Sequence, residues 1–72
     1  MEILAERLFA LRKEKKWSQQ EAAKQLDIAF RSYRRYEAGE REPPISALVH
    51  IADIYNVSLD YLAGRINDRG EK

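Results

Sequence analysis

The sequence predicts an all-α domain of five short helices, and three observations carry that prediction. Apolar residues recur at helical spacing in several segments, no segment alternates with the two-residue period of a half-buried strand, and Ser, Gly and Pro stand where helices would begin and end. The 72 residues leave room for one domain, with its core at about 2–64, and for no second one. A composition of 44% hydrophobic and 35% charged residues is that of a folded globular chain. There is no cysteine, so helix packing rather than disulfides or thiolate-bound metal must supply the stability.

Residues 2 to 14 set Leu4, Leu8 and Leu11 at helical spacing among charges, which makes an amphipathic first helix. Ser18 followed by Glu21 fits a capping box and starts the second helix. That helix offers Ala22 and Ala23 for close approach and stops at Asp27, a residue that tolerates the left-handed backbone of a sharp turn. Residues 29 to 37 form a third helix ended by Gly39. Pro44 is expected as the first residue of a fourth, with Leu48, Ile51, Ala52 and Tyr55 facing inward. Ser58 caps a short fifth helix that ends at Gly64, and residues 66 to 72 read as a polar, frayed tail.

The formal net charge is only +1, but its distribution is uneven. Residues 12 to 41 hold nine basic and five acidic side chains, whereas residues 42 to 72 hold three and five. Projected at about 100° per residue, the third helix puts Ala29, Tyr33 and Tyr36 on one side and Arg31, Arg34 and Arg35 on the other, with Phe30 and Ser32 at the flanks. Arginine can read guanine O6 and N7 bidentately or clamp phosphate oxygens. A basic helical face is most often a solvated surface. Two short helices around a tight turn, the second of them basic, form a helix-turn-helix, and that context favours double-stranded DNA as the partner.

Other chemistries find little support. His50 has no second histidine or cysteine to complete a metal site, so no metal or cofactor is expected. Asp53 with Asp60, or Glu40 with Glu42, lacks a nucleophile or a phosphate loop, so no enzyme and no small-molecule ligand are expected. Without an apolar stretch of signal-peptide or membrane-span length, the expected compartment is the cytoplasm. Trp17, after Lys13, Lys15 and Lys16, is expected to plug the end of the first helix rather than stack on a base. For Phe30, contact with thymine methyls and packing against the protein remain equally open.

Five segments together resemble the lambda-repressor-like, Cro-type (xenobiotic-response-element) helix-turn-helix family. They are Trp17-Ser18-Gln19-Gln20-Glu21, Tyr36-Glu37-Ala38-Gly39-Glu40, Pro43, Ile51-Ala52-Asp53, and Asn56-Val57-Ser58-Leu59-Asp60-Tyr61-Leu62. The similarity spans about residues 4 to 64. It implies a compact five-helix bundle and a third helix that enters the major groove, with Phe30, Arg31 and Arg35 toward base edges and Arg34 nearer the backbone. It further implies a phosphate contact at Gln19 and an internal ion pair between Arg12 and Glu37. Ser32 and Arg41 complete the expected DNA-binding set.

Three departures from the family pattern stand out. Ala29 replaces the usual Ser or Thr cap of the recognition helix, at a cost of about 1 kcal/mol unless Asp27 substitutes. Asp27 itself replaces the common turn glycine. Glu40 and Glu42 flank Arg41 where relatives often carry basic residues, which weakens attraction to phosphate there. The leading expectation is a transcriptional regulator, in the usual case a repressor, binding a palindromic operator as a homodimer. Val57, Tyr61, Leu62 and Ile66 are expected at the dimer contact because they are apolar and lie near the chain's end. A protein-interaction module such as a toxin-neutralising antitoxin is the alternative, disfavoured because only about eight residues follow Gly64.

Overall fold

Leu4, Leu8 and Leu11 lie on one stripe of a helix, and burying that stripe organises the whole bundle. The computed structural model describes residues 2–70. Its elements are α1 (Glu2–Glu14), α2 (Gln19–Gln25), α3 (Phe30–Glu37), α4 (Ile45–Tyr55) and α5 (Leu59–Leu62), with no strand among the described residues. The bundle measures 28 × 22 × 19 Å. α1 packs on α3 and α5, α2 on α3, and α4 on α5. None of these helices is long and apolar enough to cross a membrane.

Six large side chains, Tyr33, Leu4, Leu8, Leu26, Ile51 and Leu62, are less than 2% exposed. At roughly 1.5–3 kcal/mol for each buried aliphatic side chain, this core is what holds elements as short as α5, which would not persist alone. Ala22 and Ala23 are buried without bulk and let α2 lie close against its neighbours. Trp17 leans on the core with its ring centroid 5.8 Å from that of Tyr55, closing the end of α1.

Two helix starts are capped as serine dictates. Ser18 Oγ accepts from the Glu21 N–H at 3.0 Å while Glu21 Oε1 accepts from the Ser18 N–H at 3.0 Å, completing the capping box. Ser58 Oγ accepts from the Tyr61 N–H at 3.0 Å.

All five helix ends close in one way. A residue in the left-handed conformation follows each helix, in turn Lys16, Asp27, Gly39, Asn56 and Gly64. Its N–H bonds the carbonyl three residues back, and the next N–H bonds five residues back: Trp17 to Arg12, Ile28 to Ala23, Glu40 to Arg35, Val57 to Ala52 and Arg65 to Asp60. This is the Schellman closure, which satisfies two carbonyls that the helix leaves orphaned. At Gly64 sterics add a second requirement, because a Cβ there would stand 2.9 Å from Ile3 Cγ2.

The structure departs from expectation in several places. Ala29 precedes α3 as its N-cap and Pro44 precedes α4 as its N-cap, each one residue outside the helix that was expected to include it. Residues 66–70 of the expected frayed tail are tied to the bundle, and its last two residues, 71 and 72, lie outside the described residues. Arg7 donates to the carbonyls of Tyr61 and Ile66 and to Asn67 Oδ1, Arg69 Nη1 donates to Glu14 Oε1 at 2.8 Å, and the Ser58 N–H reaches the Arg69 carbonyl. The guanidinium groups of Arg7 and Arg69 lie over the Tyr61 ring, 4.1 and 5.6 Å from its centroid.

α3 starts without a side-chain cap, as Ala29 implies, and so does α4 behind Pro44; Asp27 does not substitute at α3. Installing an acceptor by Ala29→Ser should raise stability by about 1 kcal/mol and Tm by about 4–8 °C. An unchanged Tm in thermal denaturation would show that the α3 N-terminus needs no cap.

Candidate nucleic-acid interface

The position of α3 is fixed by a buried ion pair at its last residue. Arg12, near the end of α1, donates from Nε to Glu37 Oε2 at 2.9 Å and from Nη2 to Glu37 Oε1 at 2.7 Å. The two side chains are 8% and 5% exposed. Arg12 Nη1 also donates to the Trp17 carbonyl at 2.9 Å, tying in the link to α2. From the start of α2, Gln19 Nε2 reaches Glu37 Oε1 at 3.3 Å. Burial pushes the Glu37 carboxyl upward, but the hydrogen bonds from Arg12 and Gln19 outweigh it and hold the group below its ordinary 4.5. The adjacent Tyr33 and Tyr55 hydroxyls are buried without a hydrogen bond of normal geometry. Desolvation drives both upward, Tyr55 to about 12, so both remain neutral phenols.

Held this way, α3 buries Tyr33 and Tyr36 and turns Arg31, Arg34 and Arg35 to solvent. Phe30, Arg31, Arg34 and Arg35 line one open concavity with Ala38 and Glu40. Phe30 is 38% exposed and carries the Arg34 guanidinium 5.6 Å from its ring centroid, so it both packs on its own helix and faces outward. Among the described residues no carboxylate lies within ion-pair distance of these three arginines. Three donor-only groups therefore stand with their hydrogen-bonding capacity unspent.

The remaining expected site residues are distributed around this concavity rather than in it. Ser32 is half-buried on α3, and Arg41 is exposed on the loop that follows. Gln19 is half-buried and already engaged with Glu37. At the other end, Leu62 is 0% exposed, and Val57 and Tyr61 are buried as well. Their apolar character serves the core of this bundle, Tyr61 is further covered by Arg7 and Arg69, and Leu62, expected at a dimer contact, has no exposed surface to offer a second copy. Ile66 alone of that set is exposed, at 42%. From the sequence, Glu40 is a loop charge and a carboxylate neighbour of Glu42, with no place on the α3 face. The left-handed turn at Gly39 and the bond from the Glu40 N–H to the Arg35 carbonyl fold it back beside the arginines.

A short helix, a left-handed turn and a second helix that buries tyrosines and displays arginines define a helix-turn-helix domain of the DNA-binding class. The chain belongs to the helix-turn-helix family of the Cro and lambda-repressor type, whose model matches residues 8–62. It is 40% identical over 70 residues to the HTH-type transcriptional regulator YobD of Bacillus subtilis, covering 97% of this chain and 62% of YobD. It is 45% identical over 60 residues to the regulator AnsR of the same organism, covering 83% of this chain and 52% of AnsR. It is 40% identical over 62 residues to the cryptic phage CTXphi transcriptional repressor RstR of Vibrio cholerae, covering 86% of this chain and 55% of RstR. The chain thus spans 52 to 62% of the length of these relatives.

Replacing Glu37 by Ala leaves the Arg12 guanidinium buried without its partner and should lower stability by about 3 kcal/mol in urea denaturation. The pH dependence has a fixed sign: a carboxyl held below 4.5 contributes stability above about that pH and loses it as the pH falls through the folded value. Glu37→Gln should therefore flatten the acid limb of the stability curve. An acid limb identical to that of the wild type would show that the pair contributes nothing there.

Proposed function

We propose that this chain is the sequence-reading domain of a transcriptional repressor, binding a palindromic operator in double-stranded DNA as a homodimer with α3 in the major groove. The observation that carries the reading is the set of three unpaired arginines on the outward face of a helix whose inward face is locked to α1. Such a helix can enter a groove without rearranging, so little ordering entropy opposes binding. Arg31 and Arg35 read base edges, with guanine O6 and N7 the natural partners, and Arg34 contacts the backbone. Phe30 contributes an apolar edge suited to a thymine methyl, while Ser32, Arg41 and Gln19 contact phosphate oxygens around the groove.

Repression is supported by the likeness to RstR, which is named as a phage repressor. A homodimer is the assembly that suits such reading, since two copies of α3 about 34 Å apart would meet successive major grooves on one face of a palindrome. The exposure of Ile66 supports it as part of the self-association surface, with the little of Val57 and Tyr61 that remains exposed as lesser contributors. A protein of this kind acts in the cytoplasm.

Selection of bound duplexes from a random pool at about 0.15 M salt tests the reading, since nonspecific phosphate attraction is weakened there. An enriched inverted repeat is expected, and no enrichment by folded protein would overturn it. On the selected operator, Arg31→Ala and Arg35→Ala should each cost about 1–3 kcal/mol and relax preference at one position, while Arg34→Ala weakens operator and random DNA alike. Equal losses on both DNAs for all three variants would show that the arginines act only as charge.

A further inference from the structure

We infer that Glu40 is a specificity-determining residue of the DNA-reading face, accepting a hydrogen bond from the exocyclic amino group of a cytosine in the operator. The inference rests on the function proposed above and adds a residue of opposite chemistry to it.

Glu40 is not an ordinary loop charge. It lines the same concavity as Arg31, Arg34 and Arg35, although it lies outside α3. Two backbone features put it there. Gly39 takes the left-handed conformation at φ 75°, and the Glu40 N–H is anchored 2.9 Å from the Arg35 carbonyl, so the chain doubles back against the end of α3. The side chain is exposed, and among the described residues no ion pair engages it. Glu42, two residues on, is also exposed but lies outside the concavity.

The concavity therefore presents arginine donors and one acceptor-only carboxylate, none of them neutralised within the chain. Donors match guanine O6 and N7, and the same groups are attracted to any phosphate. A carboxylate discriminates in the other direction. It is repelled by phosphate oxygens and by the acceptor atoms of guanine and thymine, and it is satisfied in the major groove only where an amino group points at it. Cytosine N4 is the established match for glutamate. Duplexes with cytosine at that position give Glu40 a partner free of a neighbouring acceptor on the same base, adenine sets its N6 amino group beside the N7 acceptor, and guanine or thymine leaves a desolvated anion facing acceptors alone. Glu40 thereby lowers affinity for most DNA while sparing the operator, which widens the ratio between specific and nonspecific binding.

The test compares duplex selection and affinity at fixed salt for the wild type, Glu40→Ala and Glu42→Ala. Glu40→Ala should lose a cytosine preference of about 10-fold at one position of each half-site, keep the rest of the operator, and bind random duplex more tightly. Glu42→Ala should leave the preferred sequence as it was. Unchanged preference at every position with Glu40→Ala, or an equal gain on operator and random DNA, would overturn the assignment. So would the same loss of cytosine preference in Glu42→Ala. A wild type that enriches no sequence would overturn the base-reading function itself, and this assignment with it.

Discussion

The Arg12 and Glu37 pair is where the parts of this small bundle meet. Arg12 sits near the end of α1, Glu37 closes α3, the Trp17 carbonyl belongs to the link into α2, and Gln19 comes from the first turn of α2. Apolar side chains of similar volume could fill such a site with no loss of stability. They would lack direction. A planar guanidinium opposite a carboxylate accepts only a narrow range of positions, so the pair fixes how α3 stands relative to α1. Tyr33 and Tyr55, buried as neutral phenols beside it, keep the site dry and the attraction strong.

Much of this architecture was legible because its signals are local. Helical spacing at Leu4, Leu8 and Leu11, the capping box at Ser18, and the glycines at 39 and 64 each report on a neighbourhood of a few residues. Asp27 was legible as a turn for the same reason, and Asn56 is a residue type equally suited to the left-handed backbone, whereas Lys16 adopts it without a residue type to announce it. What escaped was long-range. Arg7 meets Ile66 and Asn67 across almost sixty residues, and no periodicity encodes that contact, so residues 66–70 looked free. Leu62 failed as an interface residue because an apolar side chain near the end of a chain reads the same whether it faces a partner or the core. The Arg12 and Glu37 pair came only from the family resemblance, since a separation of 25 residues carries no pattern of its own.

The candidate site was legible in part. The projection of α3 separated the buried tyrosines from the exposed arginines, because a helix of known pitch converts order into faces. It could not place residues beyond the helix end. The approach of Glu40 to that face depends on the backbone turn at Gly39, and Gln19, expected free for phosphate, spends a hydrogen bond inward on Glu37. With a net charge of only +1 and carboxylates bordering the basic face, the domain gains less from phosphate attraction than a strongly basic one would. Discrimination must come from the geometry of hydrogen bonding.

The five left-handed helix closures separate two kinds of position. Hydrogen bonds that shape the turns come from backbone groups, and the core draws on the inward faces of the helices, so neither relies on what projects outward from Arg31, Arg34 or Arg35. Substitutions there leave the folded frame intact, and under the proposed function those at Arg31 and Arg35 change the sequence that is read. A lineage of such readers could therefore exchange one target sequence for another in single steps, each intermediate remaining folded, while the left-handed turn positions disfavour β-branched residues and Gly64 leaves no room for a side chain.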